Sequence, residues 1–170
     1  MLLAGPTADS VVADTAPFSA ERGRLERREL SFAQFLTDHD LVLRADLLRP
    51  WSHWITPIGE ARRYDTRFFV TVLPEGQNAD GETSEAASVS WRSAEDALTD
   101  WRSGTTVLLP PTWSQLDALG RFDTVADVLD HEQTIAAVLP VLTRENGTVR
   151  VEFDGEDAYY AGTVHPWSDR

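Results

Sequence analysis

The hydrophobic pattern along the chain changes period several times, and each change marks an element. Residues 1–23 are rich in Ala, Thr, Asp and Pro with no sustained period, which predicts a loosely ordered arm. Leu30, Phe32, Phe35 and Leu36 then recur at helical spacing, with Ser31 placed to cap the helix they form. From Leu41 the texture becomes extended. Alternation around Trp51–Thr56 predicts a strand closed by Pro57, and "TRFFVTVLP" predicts a second from about Thr66 to Leu73. "EGQNADGE" reads as a polar loop, and "SEAASVSWRS" as a return strand ending near Trp91.

The second half carries clearer punctuation. In "SAEDALTDWRSG" Ser93 fits the N-cap, Asp96 the third helical position and Gly104 the stop. Pro110–Pro111 open a helix with Trp113, Leu116 and Leu119 on one side, since proline lacks only an N–H that would be unpaired there. "DTVADVLDHEQ" predicts a further helix capped by Asp123. The tail from Ala136 reads as strands joined at Asn146–Gly147 and Asp154–Gly155. Helices and strands in this order favour an α+β or α/β/α sandwich architecture with a mixed sheet, residues 24–170 forming one domain.

Composition narrows the function classes. A net charge of -13 opposes any sequence-independent grip on nucleic acid. There is no apolar run of membrane-spanning length, and "MLLAGPTADS" lacks the basic start of a secretory signal. Cysteine is absent, which removes disulfides and thiolate metal sites and sets a cytoplasmic enzyme as the default expectation. Lysine is absent too, so all the basic residues are arginine, as codon usage in a GC-rich genome would produce.

Among chemical motifs, neither a Gly-rich phosphate cradle nor a G-x-S-x-G elbow is present. His39, His53, His131 and His165 stand at no metal-ligand spacing, so no metal site is assigned from them. Asp80, Glu82 and Glu85 crowd one loop and offer oxygen ligands to a hard cation, although a solvated acidic loop has the same composition. "RRYDTRFF" at Arg62–Phe69 concentrates positive charge at a strand entrance. Alternation places Arg63, Asp65 and Arg67 on one face, so Asp65 can pair with one arginine while another holds an anion, or all three can form a structural ion-pair ladder.

Four stretches in order carry a family resemblance: Trp54-Ile55-Thr56-Pro57, Arg63-Tyr64-Asp65-Thr66-Arg67-Phe68-Phe69, a Glu followed by Trp91 and an acidic helix, and Leu109-Pro110-Pro111-Thr112. Over roughly residues 28–120 the chain resembles the downstream part of a Nudix hydrolase, closest to bacterial proteins related to the peroxisomal coenzyme A diphosphatase branch. The resemblance implies a Nudix-like α/β/α sandwich, and hydrolysis of a small-molecule nucleoside diphosphate derivative, coenzyme A-like or a nucleotide. It implies Mg²⁺ or Mn²⁺ held by helix glutamates of the Nudix box, G-x5-E-x7-R-E-U-x-E-E-x-G-U, which neutralise the diphosphate and activate water. On this pattern Arg63 and Arg67 contact substrate phosphates, Glu82 and Glu85 supply accessory acidic chemistry, and Trp54 stacks on a base or pantetheine arm or packs in the core.

The box itself is not found in the sequence. Gly23 and Glu29 are followed by Thr37 where the arginine belongs, and Gly76 and Glu82 by Ser90. In relatives the box runs into an L-L-A-G-like stretch, and "LLAG" stands at Leu2–Gly5. The expectation is therefore a domain incomplete at its N-terminus, by truncation or a mis-called start. As an isolated chain it would be inactive and bind no metal, and an uncovered apolar face would promote dimerisation. The alternative is a non-catalytic nucleotide-binding or protein-interaction domain on the same scaffold.

Overall fold

The computed structural model describes residues 1–79, 89–145 and 148–162 of the 170. They fall into two compact units: 1–49 with 71–89, and 50–70 with 90–170.

In the first unit the N-terminal stretch is structured where a loose arm is expected. Strand β1 (Ala4–Gly5) pairs antiparallel with β2 (Val42–Leu43), and Ala4 is fully buried. The reason is a tertiary tether that periodicity does not register. The buried Gln77 side chain accepts from the Leu2 N–H (2.7 Å) and donates to the carbonyls of Leu2 (2.8 Å) and Val12 (2.6 Å). Gly5 is fixed by proximity, since a Cβ there would lie 2.1 Å from the Ser10 carbonyl oxygen. A 3₁₀ turn at Ala16–Phe18 leads into α1 (Ser19–Glu26), followed by α2 (Phe32–Asp38). Ser31 caps α2 as the spacing predicts, its hydroxyl accepting from the Gln34 N–H at 3.1 Å. Phe35 is buried from that helix against Phe18, ring centroids 5.3 Å apart and nearly perpendicular.

The second unit is built on strand β3 (Arg49–Ile55), which runs into it from Pro50, with β4 (Asp65–Val70) on one side and the short β5 (Ala137–Val138) on the other. β5 is parallel to β3, with His53 opposite Ala137 and Trp54 opposite Val138. The described part of the expected strand near Trp91, residues 89–93, is not a strand; the rest of it, 84–88, lies outside the described residues.

Helix α3 (Ala94–Arg102) starts at the predicted cap, Ser93 Oγ accepting from the Asp96 N–H at 3.0 Å. Gly104, at φ +76°, takes the left-handed conformation that ends it. Helix α4 (Pro110–Leu119) opens on its two prolines. The cap of α5 (Val125–Asp130) is Thr124, one residue past the expected Asp123. Thr124 Oγ1 accepts from the Asp127 N–H (3.1 Å) while the Asp127 carboxylate accepts from the Thr124 N–H (3.1 Å), a reciprocal box that Asp123 cannot make.

The tail holds one hairpin and one correction. Strands β6 (Val141–Glu145) and β7 (Thr148–Glu152) pair antiparallel, with Asn146–Gly147 between them outside the described residues. Asp154–Gly155 leads into helix α6 (Glu156–Gly162), not a strand. Glu156 turns back to accept from the Phe153 N–H at 3.0 Å, and Tyr159 is needed for burial instead. Tyr159 is fully buried with Leu98, Trp101 and Trp113, stacked on Trp101 at 5.4 Å. No helix among the described residues is long and apolar enough to cross a membrane.

Candidate functional site

Strand alternation on β4 divides its chemistry between two faces. Thr66 and Phe68 point to one side, and Asp65 and Arg67 to the other. The Thr66–Phe68 side is one wall of a cavity of about 450 Å³ within the second unit. β3 and the residues after it supply Trp54, Ile55, Thr56 and Pro57, and Glu60 brings a carboxylate from the loop before β4. The start of α4 contributes Leu109, Pro110 and Pro111, and the β6–β7 hairpin closes the cavity with Leu142, Val149 and Val151. Thr56, Glu60 and Thr66 provide polar side chains on an otherwise apolar lining, the composition of a site for a hydrocarbon arm with few fixed polar points.

Trp54 is the rigid part of this wall. It is only 6% exposed, and its ring meets Phe153 edge-on at 5.6 Å. Phe153 in turn contacts Trp113 (6.3 Å) and Tyr159 (5.7 Å), so the cavity wall continues into the aromatic core. Trp54 is therefore both a core residue and a cavity residue. Such a wall has little freedom to collapse, because aromatic rings in close packing have few alternative positions.

The opposite face of the sheet holds a polar cluster. His53 Nε2 lies 2.6 Å from Asp65 Oδ1, and the same oxygen accepts from Arg67 at 3.0 Å. Asp65 thus restrains one arginine, Arg67, as alternation suggests, and an imidazole that the sequence reading leaves unassigned. The pairing of β3 with β4 could have revealed it, because His53 comes within reach of Asp65 once the two strands are neighbours. Arg63 precedes β4 and donates from Nε to the Thr56 carbonyl at 2.9 Å, closing the loop between the strands. Arg62 rests over the Tyr64 ring, 5.1 Å from its centroid.

Of the residues singled out from sequence, Trp54 lines the cavity and Arg63 and Arg67 do not. Glu82 and Glu85 lie outside the described residues, as does Asp80. Residues that pattern reading passed over, Phe68, Leu142, Val149 and Val151, form much of the wall. The two-residue period of "TRFFV" carries the signal for Phe68, because it separates Thr66 and Phe68 from Arg67. Among the described residues no three His, Asp or Glu side chains converge as a cation would require, so these residues do not fit a Mg²⁺ or Mn²⁺ centre.

Comparison with known proteins places this geometry in a family. The family model described as the NUDT19 Nudix domain matches residues 1–120. The chain is 31% identical over 130 residues to the acyl-coenzyme A diphosphatase NUDT19 of Gallus gallus, covering 68% of this chain and 34% of that protein. It is 29% identical over 136 residues to the protein of the same name from Homo sapiens, covering 79% and 36%. For that of Xenopus laevis the figures are 26% over 119 residues, 68% and 31%. The chain thus spans about a third of the length of the curated relatives it matches. No solved structure matches. The ordered stretches of β3, β4 and the start of α4 are the parts by which the resemblance is first legible, and the match across 120 residues shows that the chain belongs to the Nudix family, related to its coenzyme A diphosphatase branch.

Proposed function

We propose that this chain is the substrate-holding part of a Nudix hydrolase whose substrate is a coenzyme A-linked diphosphate, and that the cavity behind Trp54 takes the apolar arm of that substrate. The observation that carries this is the lining. Trp54, Phe68, Leu142, Val149 and Val151 enclose a volume suited to a chain of carbons, and Thr56 and Thr66 offer hydroxyls to a polar group at intervals along it. The names of the curated relatives, acyl-coenzyme A diphosphatases, favour an acyl group as that arm. Burial of the arm excludes water from the wall and orients the rest of the substrate, which is how remote binding contributes to reaction at a distant bond.

Arg63 and Arg67 remain the proposed contacts to substrate phosphates. Arg63 uses Nε on the Thr56 carbonyl, and Arg67 uses one terminal nitrogen on Asp65, so each is held in place while other N–H groups stay available to an anion. Mg²⁺ or Mn²⁺ is the cofactor that the family reading implies; no group of three His, Asp or Glu side chains that could hold it stands among the described residues, and Glu82 and Glu85 are proposed only as accessory acids.

The test is an affinity series by calorimetry with coenzyme A and acyl-coenzyme A of increasing chain length. Each buried methylene stabilises binding by ~0.8 kcal/mol, so two added carbons should tighten it about fifteenfold until the cavity is full. Val149→Phe, which fills the cavity from the hairpin, should abolish the chain-length dependence. Equal affinity for coenzyme A and its acyl forms would sink the proposal.

A further inference from the structure

Strand β4 forms one edge of the sheet in the second unit, and its only neighbour among the described residues is β3. An open strand edge carries a row of unpaired N–H and C=O groups, which proteins usually blunt with proline, an unbalanced charge or a covering element. β4 has none of these. Its sequence, Asp-Thr-Arg-Phe-Phe-Val, contains no proline, and its two charges neutralise each other where Arg67 meets Asp65 at 3.0 Å. Asp65, Thr66 and Arg67 are exposed, and Phe69 is 49% exposed.

The backbone fixes which groups face outward. The Tyr64 carbonyl accepts from the Thr56 N–H at 2.9 Å, on the β3 side. Successive residues of a strand turn their N–H and C=O groups to opposite sides, so Thr66, Phe68 and Val70 also face β3. Asp65, Arg67 and Phe69 face the open edge. A second β4 laid antiparallel against this edge must set outward-facing residues opposite one another, which leaves registers centred on a residue facing itself. Centring on Arg67 places two guanidiniums directly opposite, a like-charge contact that destabilises the pair. Centring on Thr66 or on Phe69 leaves most of the strand without a partner strand. Centring on Phe68 pairs residues 66–70 and brings Arg67 opposite Phe69.

We infer that β4 pairs with β4 of a second copy of this chain, across a twofold axis at Phe68. Arg67 and Phe69 of the two copies exchange their backbone hydrogen bonds, and each Arg67 guanidinium faces the Phe69 ring of the other copy, a cation–π contact. That stacking uses the flat face of the guanidinium and leaves its in-plane N–H groups to Asp65. The two Phe68 rings meet at the axis, where non-hydrogen-bonded neighbours approach most closely. The two three-stranded sheets become one.

The chain has no cysteine, so introduced cysteines report the pairing directly. Sedimentation of the 170-residue chain at high salt, which screens repulsion between two molecules of net charge -13, should show the mass rising toward that of two chains as concentration increases. Phe68→Cys should form a disulfide-linked dimer on oxidation, because the two Cα atoms face each other at about 4.5 Å. Phe68 lines the cavity, so a second readout uses exposed positions. Chains carrying Arg67→Cys, mixed with chains carrying Phe69→Cys, should cross-link to each other and neither to itself. Phe69→Pro removes an outward N–H and no bond to β3, and should weaken association about tenfold. A monomer at every concentration, a dimer unaffected by Phe69→Pro, or cross-linking of Arg67→Cys to itself overturns the inference.

Discussion

Tyr159 is buried among Trp101, Trp113 and Phe153, and its hydroxyl donates to the Leu108 carbonyl at 2.9 Å. Burial pushes its pKa from 10.0 up to about 12, because the phenolate would lose its hydration. The sign follows directly. In the folded state the proton is held more tightly, so this contribution is intact below pH 10.0 and is lost as pH rises toward about 12. Denaturant unfolding at stepped pH should show stability falling across that interval, with a shallower fall in Tyr159→Phe. An identical fall in the variant would remove Tyr159 as the cause. Gln77 is the corresponding residue of the first unit. Gln77→Leu leaves the Leu2 amide and the carbonyls of Leu2 and Val12 without their partner, and should cost about 2–4 kcal/mol in urea unfolding. A loss below about 1 kcal/mol would mean that water replaces the side chain without penalty.

Elements behave as their caps direct. Ser31, Ser93, Pro110 and Gly104 stand where the sequence places them, because a cap depends on a handful of consecutive residues and little else. The shift from Asp123 to Thr124 is the instructive case. Both residue types accept hydrogen bonds, but only Thr124 has an acidic residue at the third helical position to return the bond. Thr124→Ala should therefore destabilise by ~1 kcal/mol and Asp123→Ala by much less, measured by thermal unfolding. Equal effects would place the cap outside Thr124. Helix α6 fails as a strand for a different reason. Its two tyrosines have β propensity, and the need to bury Tyr159 against Trp101 overrides it. Its acidic first turn, Glu156 and Asp157, is the local signal of a helix start.

At the scale of the whole molecule, the sequence holds no Nudix box, and the described residues gather no carboxylate cluster. On the proposed function, the 170-residue chain incubated with Mg²⁺ and acyl-coenzyme A should bind that molecule and release no nucleotide product above a protein-free control. Sustained turnover at ordinary enzyme rates would show that these residues assemble a catalytic centre of their own.

Local sequence was enough for the caps of α2 and α3, the strand that carries Arg67, the proline entrance of α4 and membership of the Nudix family. Each depends on neighbouring residues or on a string of them in order. Tertiary structure decided which face of β4 matters for the cavity. Alternation defines two faces, Thr66 with Phe68 and Asp65 with Arg67, but does not say which one will be covered. That choice is made by α4 and the β6–β7 hairpin, elements distant along the chain that enclose one face and leave His53, Asp65 and Arg67 on the other. Gln77 likewise turns an aperiodic N-terminus into buried structure through bonds that no local pattern encodes. Local hydrogen bonding is settled by a few adjacent residues, whereas burial is settled by whichever surfaces the folded chain brings together.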